Sequence, residues 1–265
     1  MYKVLSIAGS DPSGGAGIQA DLKTFSALKC FGMAVITALT AQNTLGVEAC
    51  FNIPSHFIEQ QLSTLFNDIN PDAIKIGMLA NSEIIYIISK FLKKHPQIPI
   101  ILDPVMVATS GDVLLEQTAI DTLKTELMPL AKLITPNIHE AQILSNKKIT
   151  NETDYFKVAQ SIQNSVLSNK VAVLIKGGHS NNKSANDFLF INSNKYEWIY
   201  GKYINTNNTH GTGCTLSSAI ACFIAQDNDI TNACIKAKQY LNRIIFNSKH
   251  LKIGNGTGAL KHFGD

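Results

Sequence analysis

What this sequence lacks narrows its chemistry first. It has no block of five or more like charges: 23 Lys and Arg and 20 Asp and Glu, formally +3, are spread along 265 residues. That dispersal points away from nucleic acid and membrane surfaces and leaves room for a small anionic ligand. Long apolar runs are missing too. The longest, IPIILDPVMVA, is broken by Asp103, and the run within the initial MYKVLSIAGSD is too short for a signal peptide, so a cytoplasmic protein is expected. Five cysteines, at 30, 50, 214, 222 and 234, are odd in number and show no C-x-x-C, which supports neither a disulfide framework nor a zinc site. Seven histidines show no ligand spacing either. There is no linker, repeat or low-complexity tract, so one domain over residues 1–265 is the economical reading, and 45% apolar residues suffice for one large core.

Glycine is present where it matters. AGSDPSGGAGIQAD, residues 8–21, follows an apolar run, and a glycine-rich turn between strand and helix usually cradles phosphate on backbone N–H groups. The phosphate lysine is absent, because Gly15 and Ala16 stand where Lys and Ser or Thr would complete a P-loop. Gly15-x-Gly17-x-x-Ala20 matches a dinucleotide fingerprint on paper, but it begins six residues past the strand end expected at Gly9. No acid closes the next apolar run, MAVITALTAQ. Asp11 and Asp21 flank the turn and would repel a pyrophosphate, so the loop reads as a site for a neutral or cationic small molecule.

KVLSIAG, MAVITALT, AIKIGM, IPIILD, KLITP and VAVLIKG are nearly continuous in apolar residues, as strands buried on both faces are. Amphipathic stretches alternate with them: Ile18, Leu22, Phe25 and Leu28 in one, Phe57, Leu62 and Leu65 in another. The repeated order predicts an α/β fold, a mostly parallel central sheet with helices on its faces. NDFLFI, NSNK and YEWIY then read as an edge hairpin, and two helices, one from near Gly213 and one over 229–247, close the chain. Residues 107–115 contain glycine and are a candidate flap. Ligands in such sheets sit at the carboxyl ends of the strands.

The strongest chemical signal is NTNNTHGTGCTLSSA, residues 205–219. Gly211, Thr212 and Gly213 present free N–H groups at a helix start, an anion hole, and Cys214 occupies the first turn. The helix field and bound cations are expected to lower that thiol's pKa; the alternative is a small apolar core cysteine. Lys176 ends VAVLI beside Gly177 and Gly178, suited to phosphate or simply to solvent. Asn137 and Glu140 match a helix capping pattern, and Glu140 is also placed to hold water around magnesium. Asp103 precedes a proline, where a turn residue is common. Gln42 ends a buried strand, where its amide can pair with an amino group beside a ring nitrogen or cap a turn. Met78 reads as core, and His179 and His210 as local hydrogen-bonding residues.

Taken in order, AGSDPSGGAGIQADLKTFSAL, ITALTAQNT, KIGMLA, LDPVM, ITPNIHEA, LIKGGH and NTHGTGCTLSSA closely resemble the hydroxymethylpyrimidine/phosphomethylpyrimidine kinases of thiamin biosynthesis, within the ribokinase-like superfamily. The resemblance runs over nearly the whole chain. It implies ATP and Mg2+, phosphorylation of 4-amino-5-hydroxymethyl-2-methylpyrimidine and then of its monophosphate, and a homodimer. It also implies that Gly9, Asp21, Gln42, Met78, Val105 and Cys214 line the pyrimidine site. Asn137, Glu140, Lys176 and the 211–213 backbone would serve phosphates and metal, with Asp103 acting through the metal or its waters. Thr40 stands where some relatives have valine, and pyridoxal kinases are close relatives, most with Asp and some with Cys at the Cys214 position. A pyridoxal kinase and a non-catalytic pyrimidine sensor therefore remain alternatives.

Overall fold

A computed structural model describes residues 1–107, 111–112, 114–116, 118–166, 171–177 and 185–263. Gly178 and His179, and positions 108–110 and 113 of the candidate flap, lie outside the described residues.

The apolar runs form strands for the reason their composition suggests: both faces are covered. Parallel pairing joins β1 (Lys3–Ser10), β2 (Phe31–Gln42), β4 (Ala73–Ile76), β5 (Ile100–Leu102), β6 (Leu133–Ile134) and β7 (Ala172–Ile175). Antiparallel partners close both edges. On one side β3 (Val47–Asn52) pairs with β2; on the other β8 (Asp187–Asn192) and β9 (Lys195–Ile199) form the expected hairpin beside β7. The order is β3-β2-β1-β4-β5-β6-β7-β8-β9. No reading of the sequence anticipated β3, whose residues are mostly exposed and lack the continuous apolar signature of the inner strands.

Successive side chains on each strand point to opposite faces, and two cores result. Leu5, Ile7, Ile74, Ile76, Ile100 and Leu102 pack with Ile58 and Leu62 of α2 (Ser55–Phe66) and with Ile85 and Ile88 of α3 (Ser82–Leu92). Val4, Ala73, Ile101, Leu133 and Leu174 pack on the other side with Phe25 of α1 (Gly17–Ala27), Leu216 and Ile220 of α7 (Thr212–Ala225) and Ala237 and Ile244 of α8 (Ile230–Ser248). On the first face α4 (Ala119–Thr122) continues through a π turn and a 3₁₀ turn to Leu130, and α5 (Ile138–Ser145) and α6 (Glu152–Ser165) complete the layer. In α2 the inward stripe is Ile58, Leu62 and Phe66; the Phe57 expected there is 49% exposed, one position off the buried face.

The connection leaving β1 goes to one side, to β2 and β3, and the chain then returns to place β4 on β1's other side. That reversal opens a crevice at the carboxyl ends of β1 and β4.

Candidate active site

A cavity of ≈ 380 Å³ occupies that crevice. Each strand end contributes to its wall: Gly9 from β1, Gln42 from β2, Met78 after β4, Asp103 and Val105 after β5. Asn137, Glu140, Lys176 and the start of α7, Gly211 to Cys214, complete the set brought together from distant parts of the chain. Of the residues expected in the site, Asp21 alone does not line it. Its carboxylate is fully buried behind the wall.

The two glycine loops interlock. Gly211 adopts φ +81°, and a Cβ there would strike the Gly15 carbonyl; a Cβ on Gly15 would in turn strike the His210 ring. His210 Nε2 lies 2.8 Å from Asp11 Oδ2, which also accepts from the Ala16 N–H, while Asp11 Oδ1 accepts from the Ser13 N–H and hydroxyl. Burial by itself would raise the Asp11 carboxyl, but the hydrogen bonds from His210, Ser13 and Ala16 hold it at about 2. Asp11 therefore spends its charge fastening the loops together. His210 makes the local bond foreseen for it, and its own N–H donates to Gly258 of the C-terminal strap.

Where phosphate is expected, α7 begins without a side-chain cap; the Thr212 N–H donates to Thr209 O at 3.2 Å, and the N–H groups of Gly213 and Cys214 follow it in the first turn. Lys176 is paired, not merely solvated: its Nζ is 2.6 Å from Asp103 Oδ1, and Thr135 Oγ1 donates to the same oxygen at 3.1 Å. The Lys176 ammonium is held charged against its burial by Asp103 and Glu140. Asn137 and Glu140 form a full capping box for α5, with the Glu140 N–H donating to Asn137 Oδ1 (2.9 Å) and the Asn137 N–H to Glu140 Oε2 (2.7 Å). Capping and site roles coincide here, because both residues also face the cavity. Burial pushes the Glu140 carboxyl up to about 7, with Lys176 opposing and Asp103 adding to the rise. Asp103 and Glu140 are hard oxygen donors in the cavity that the start of α7 also lines. That suits a magnesium ion arriving with phosphates, since this ion needs only one or two carboxylates from protein. Among the described residues no cluster of three or more His, Cys, Asp or Glu could hold a metal without such help.

Across the cavity Gly9 admits the neighbouring Met78, whose Sδ would lie 2.9 Å from a Cβ built on that glycine. Thr40 Oγ1 lies 2.8 Å from Ser10 O and 3.1 Å from Gln42 Oε1, so the hydroxyl orients the glutamine amide as a valine could not. Cys214 corrects one expectation. Burial raises its thiol pKa rather than the helix lowering it; Lys75 and the Gly17 N–H pull it down, and Asp21 and Asp103 push it up.

Sequence reasoning missed Lys75, and missed Asp187, Lys202, Tyr203 and Lys238, which line the cavity beyond Lys176. Lys238 Nζ and Asp187 Oδ2 are 2.7 Å apart and buried. A charged residue inside a short buried run, as in AIKI or DFLF, was the available signal.

The phosphomethylpyrimidine kinase family model matches residues 11–261. The hydroxymethylpyrimidine/phosphomethylpyrimidine kinase of Rhizobium meliloti (strain 1021) is 44% identical over 259 residues, 98% of this chain and 96% of the relative. The crystal structure of a phosphomethylpyrimidine kinase from Clostridium difficile 630 is 43% identical, with a TM-score of 0.81 over 92% of this chain and all of that one. The pyridoxal kinase from Staphylococcus aureus in complex with AMP-PCP and pyridoxal is similar in fold at a TM-score of 0.88 and 32% identity, over 99% of this chain and 93% of its own.

Proposed function

This chain belongs to the phosphomethylpyrimidine kinase family, and from that premise we infer that it is the two-step kinase of thiamin biosynthesis. It uses ATP to phosphorylate 4-amino-5-hydroxymethyl-2-methylpyrimidine and then to convert the monophosphate to the diphosphate. One observation carries this reading: Gln42, Met78, Val105 and Gly9, suited to a flat aminopyrimidine, share a single cavity with an uncapped helix start and Lys176, suited to phosphates.

The Gln42 amide pairs with the amino group and ring nitrogen of the pyrimidine, and the hydroxymethyl group faces Cys214. In the first transfer that hydroxyl yields its proton to the Cys214 sulfur while its oxygen bonds the γ-phosphorus and ADP leaves. Charge developing on the transferred group is met by the N–H groups of Gly211, Gly213 and Cys214 and by Lys176, while Asn137, Gly211 and Gly213 hold the nucleotide phosphates. Glu140 and Asp103 would hold a magnesium ion, which would neutralise phosphate charge. In the second transfer the nucleophile is a phosphate oxygen, already ionised near neutral pH because its second pKa is about 6.

The opening loop is a poor dinucleotide site, since the Ala16 N–H is committed to Asp11, whose carboxylate faces the loop. Intact Lys176, Cys214 and anion loop also speak for turnover rather than sensing. The likeness to pyridoxal kinases keeps one second reading, phosphorylation of pyridoxal in the same cavity.

A competition assay with ATP and magnesium, read by mass spectrometry, separates the two. Pyrimidine monophosphate followed by diphosphate is expected. Pyridoxal phosphate as the sole product would overturn the acceptor assignment while leaving the phosphate site standing. Gln42→Ala is expected to cripple pyrimidine use by tenfold or more, a loss of at least about 1.4 kcal/mol in transition-state binding, and to affect pyridoxal less, because pyridoxal lacks the amino edge.

We also propose a cytoplasmic homodimer. Among the described residues no helix is long and apolar enough to cross a membrane, and β3 offers an exposed edge with apolar side chains.

A further inference from the structure

Lys75 is fully buried in β4 and donates to both oxygens of Asp21, at 3.0 and 2.8 Å. The pair is built from four elements. Ser6 of β1, the register partner of Lys75, donates to Asp21 Oδ2 at 2.6 Å; Asp21 comes from α1; and Ser218 of α7 donates to Asp21 Oδ1 at 2.7 Å. Ser218 lies one helical turn after Cys214, so it shares that residue's face of α7.

Three features say that this pair does more than fill space. A buried ion pair contributes little net stability compared with apolar residues of the same volume, so retaining one needs another reason. Lys75 bends toward the carboxyl end of its strand, where its Nζ would lie 2.8 Å from a Cβ on Gly77, so the glycine leaves room for the ammonium. Finally, Lys75 lines the cavity that holds Cys214, whereas Asp21 does not. Among the described residues its hydrogen bonds go to Asp21 alone, and an ammonium carries three protons.

We propose that Lys75, anchored by Asp21 and through it to the face of α7 that carries Cys214, is a positioning residue for Cys214, the fixed cation of the shared cavity that stabilises the thiolate receiving the acceptor's hydroxyl proton in the first transfer. The proposal rests on the kinase reading above. The other charges acting on the sulfur are Asp21 from α1 and Asp103 after β5, both adverse, and Lys176 after β7 interacts with it as well. Lys75 acts on the sulfur in the favourable sense. The proton moves from the hydroxyl to sulfur as the oxygen–phosphorus bond forms and the bond to ADP breaks. It then leaves the thiol for solvent once product departs. Asp21, expected from the sequence to touch the pyrimidine, acts here through Lys75.

The test joins a chemical readout to a kinetic one. Alkylation of Cys214 by iodoacetamide, resolved by peptide mass spectrometry, is followed against pH in the full-length protein, in Lys75→Met and in Lys75→Met/Asp21→Asn. The double variant removes both charges and guards against a folding failure from an unpaired buried carboxylate. The Cys214 profile is expected to move to higher pH by about 1 unit or more in the single variant, the usual effect of one close charge, and by less in the double. The ratio of first-transfer to second-transfer rate is expected to fall about tenfold, because only the first transfer needs a base. An unmoved alkylation profile, or equal losses in both transfers, would overturn the proposal. If the unaltered protein phosphorylates neither pyrimidine acceptor, the kinase reading fails, and the alkylation profile still decides whether Lys75 acts on Cys214.

Discussion

At the scale of single residues, Cys214 carries the sharpest expectation. Its thiol is raised by burial, so little thiolate exists at neutral pH in the free protein, and kcat/KM for the first transfer should climb as pH rises through the alkaline range. Cys214→Ala should slow the first phosphorylation by roughly 10²–10⁴, the usual worth of a general base, and the second far less. Separate assays with the hydroxymethyl compound and with its monophosphate measure the two; equal losses would mean a packing cysteine. Such an asymmetry arises because the same cavity serves an alcohol, which must lose a proton, and a phosphate, which has already lost it.

At the scale of elements, the joint between the α1 and α7 loops is held by charge. The Asp11 carboxyl is depressed in the folded protein, from 3.8 to about 2. A carboxyl depressed by folding contributes stability that is fully present above its unfolded pKa and is lost as pH falls from about 4 toward 2. Asp11→Asn should therefore flatten the acid limb of a plot of thermal midpoint against pH over that window, while lowering the midpoint at pH 7. An unchanged acid limb would show that the His210–Asp11 contact does not fasten the loops. Because Gly15 and Gly211 pack backbone against backbone beside this pair, loosening it should also displace the anion-binding N–H groups and raise KM for ATP.

At the scale of the whole molecule, the sheet ends on one side in a strand that is nearly bare. Leu39 and Phe51 are cross-strand partners on β2 and β3, 44% and 65% exposed, and Leu45 in the intervening turn is 67% exposed. An open edge with apolar side chains invites pairing, and a second copy of the same edge would cover both. Phe51→Asp should convert a dimer to a monomer in analytical ultracentrifugation at micromolar concentration. A wild-type protein that sediments as a monomer at that concentration would remove the dimer proposal.

The sequence by itself determined the alternation of strands and helices, because strands buried on both faces must be nearly continuous in apolar residues and helices covering them must be amphipathic. It also determined the helix start at 211–213 and the capping pair Asn137 and Glu140, whose signals are local. β3 escaped because an exposed edge strand carries no burial pattern, and the Cys214 shift escaped because desolvation depends on what closes over the sulfur. Only the tertiary structure decided that Asp21 faces Lys75, 54 residues away, and that Asp11 faces His210, 199 away. Charge pairing acts through space, and which carboxylate meets which cation is fixed by the crossing of strands and helices, not by spacing along the chain.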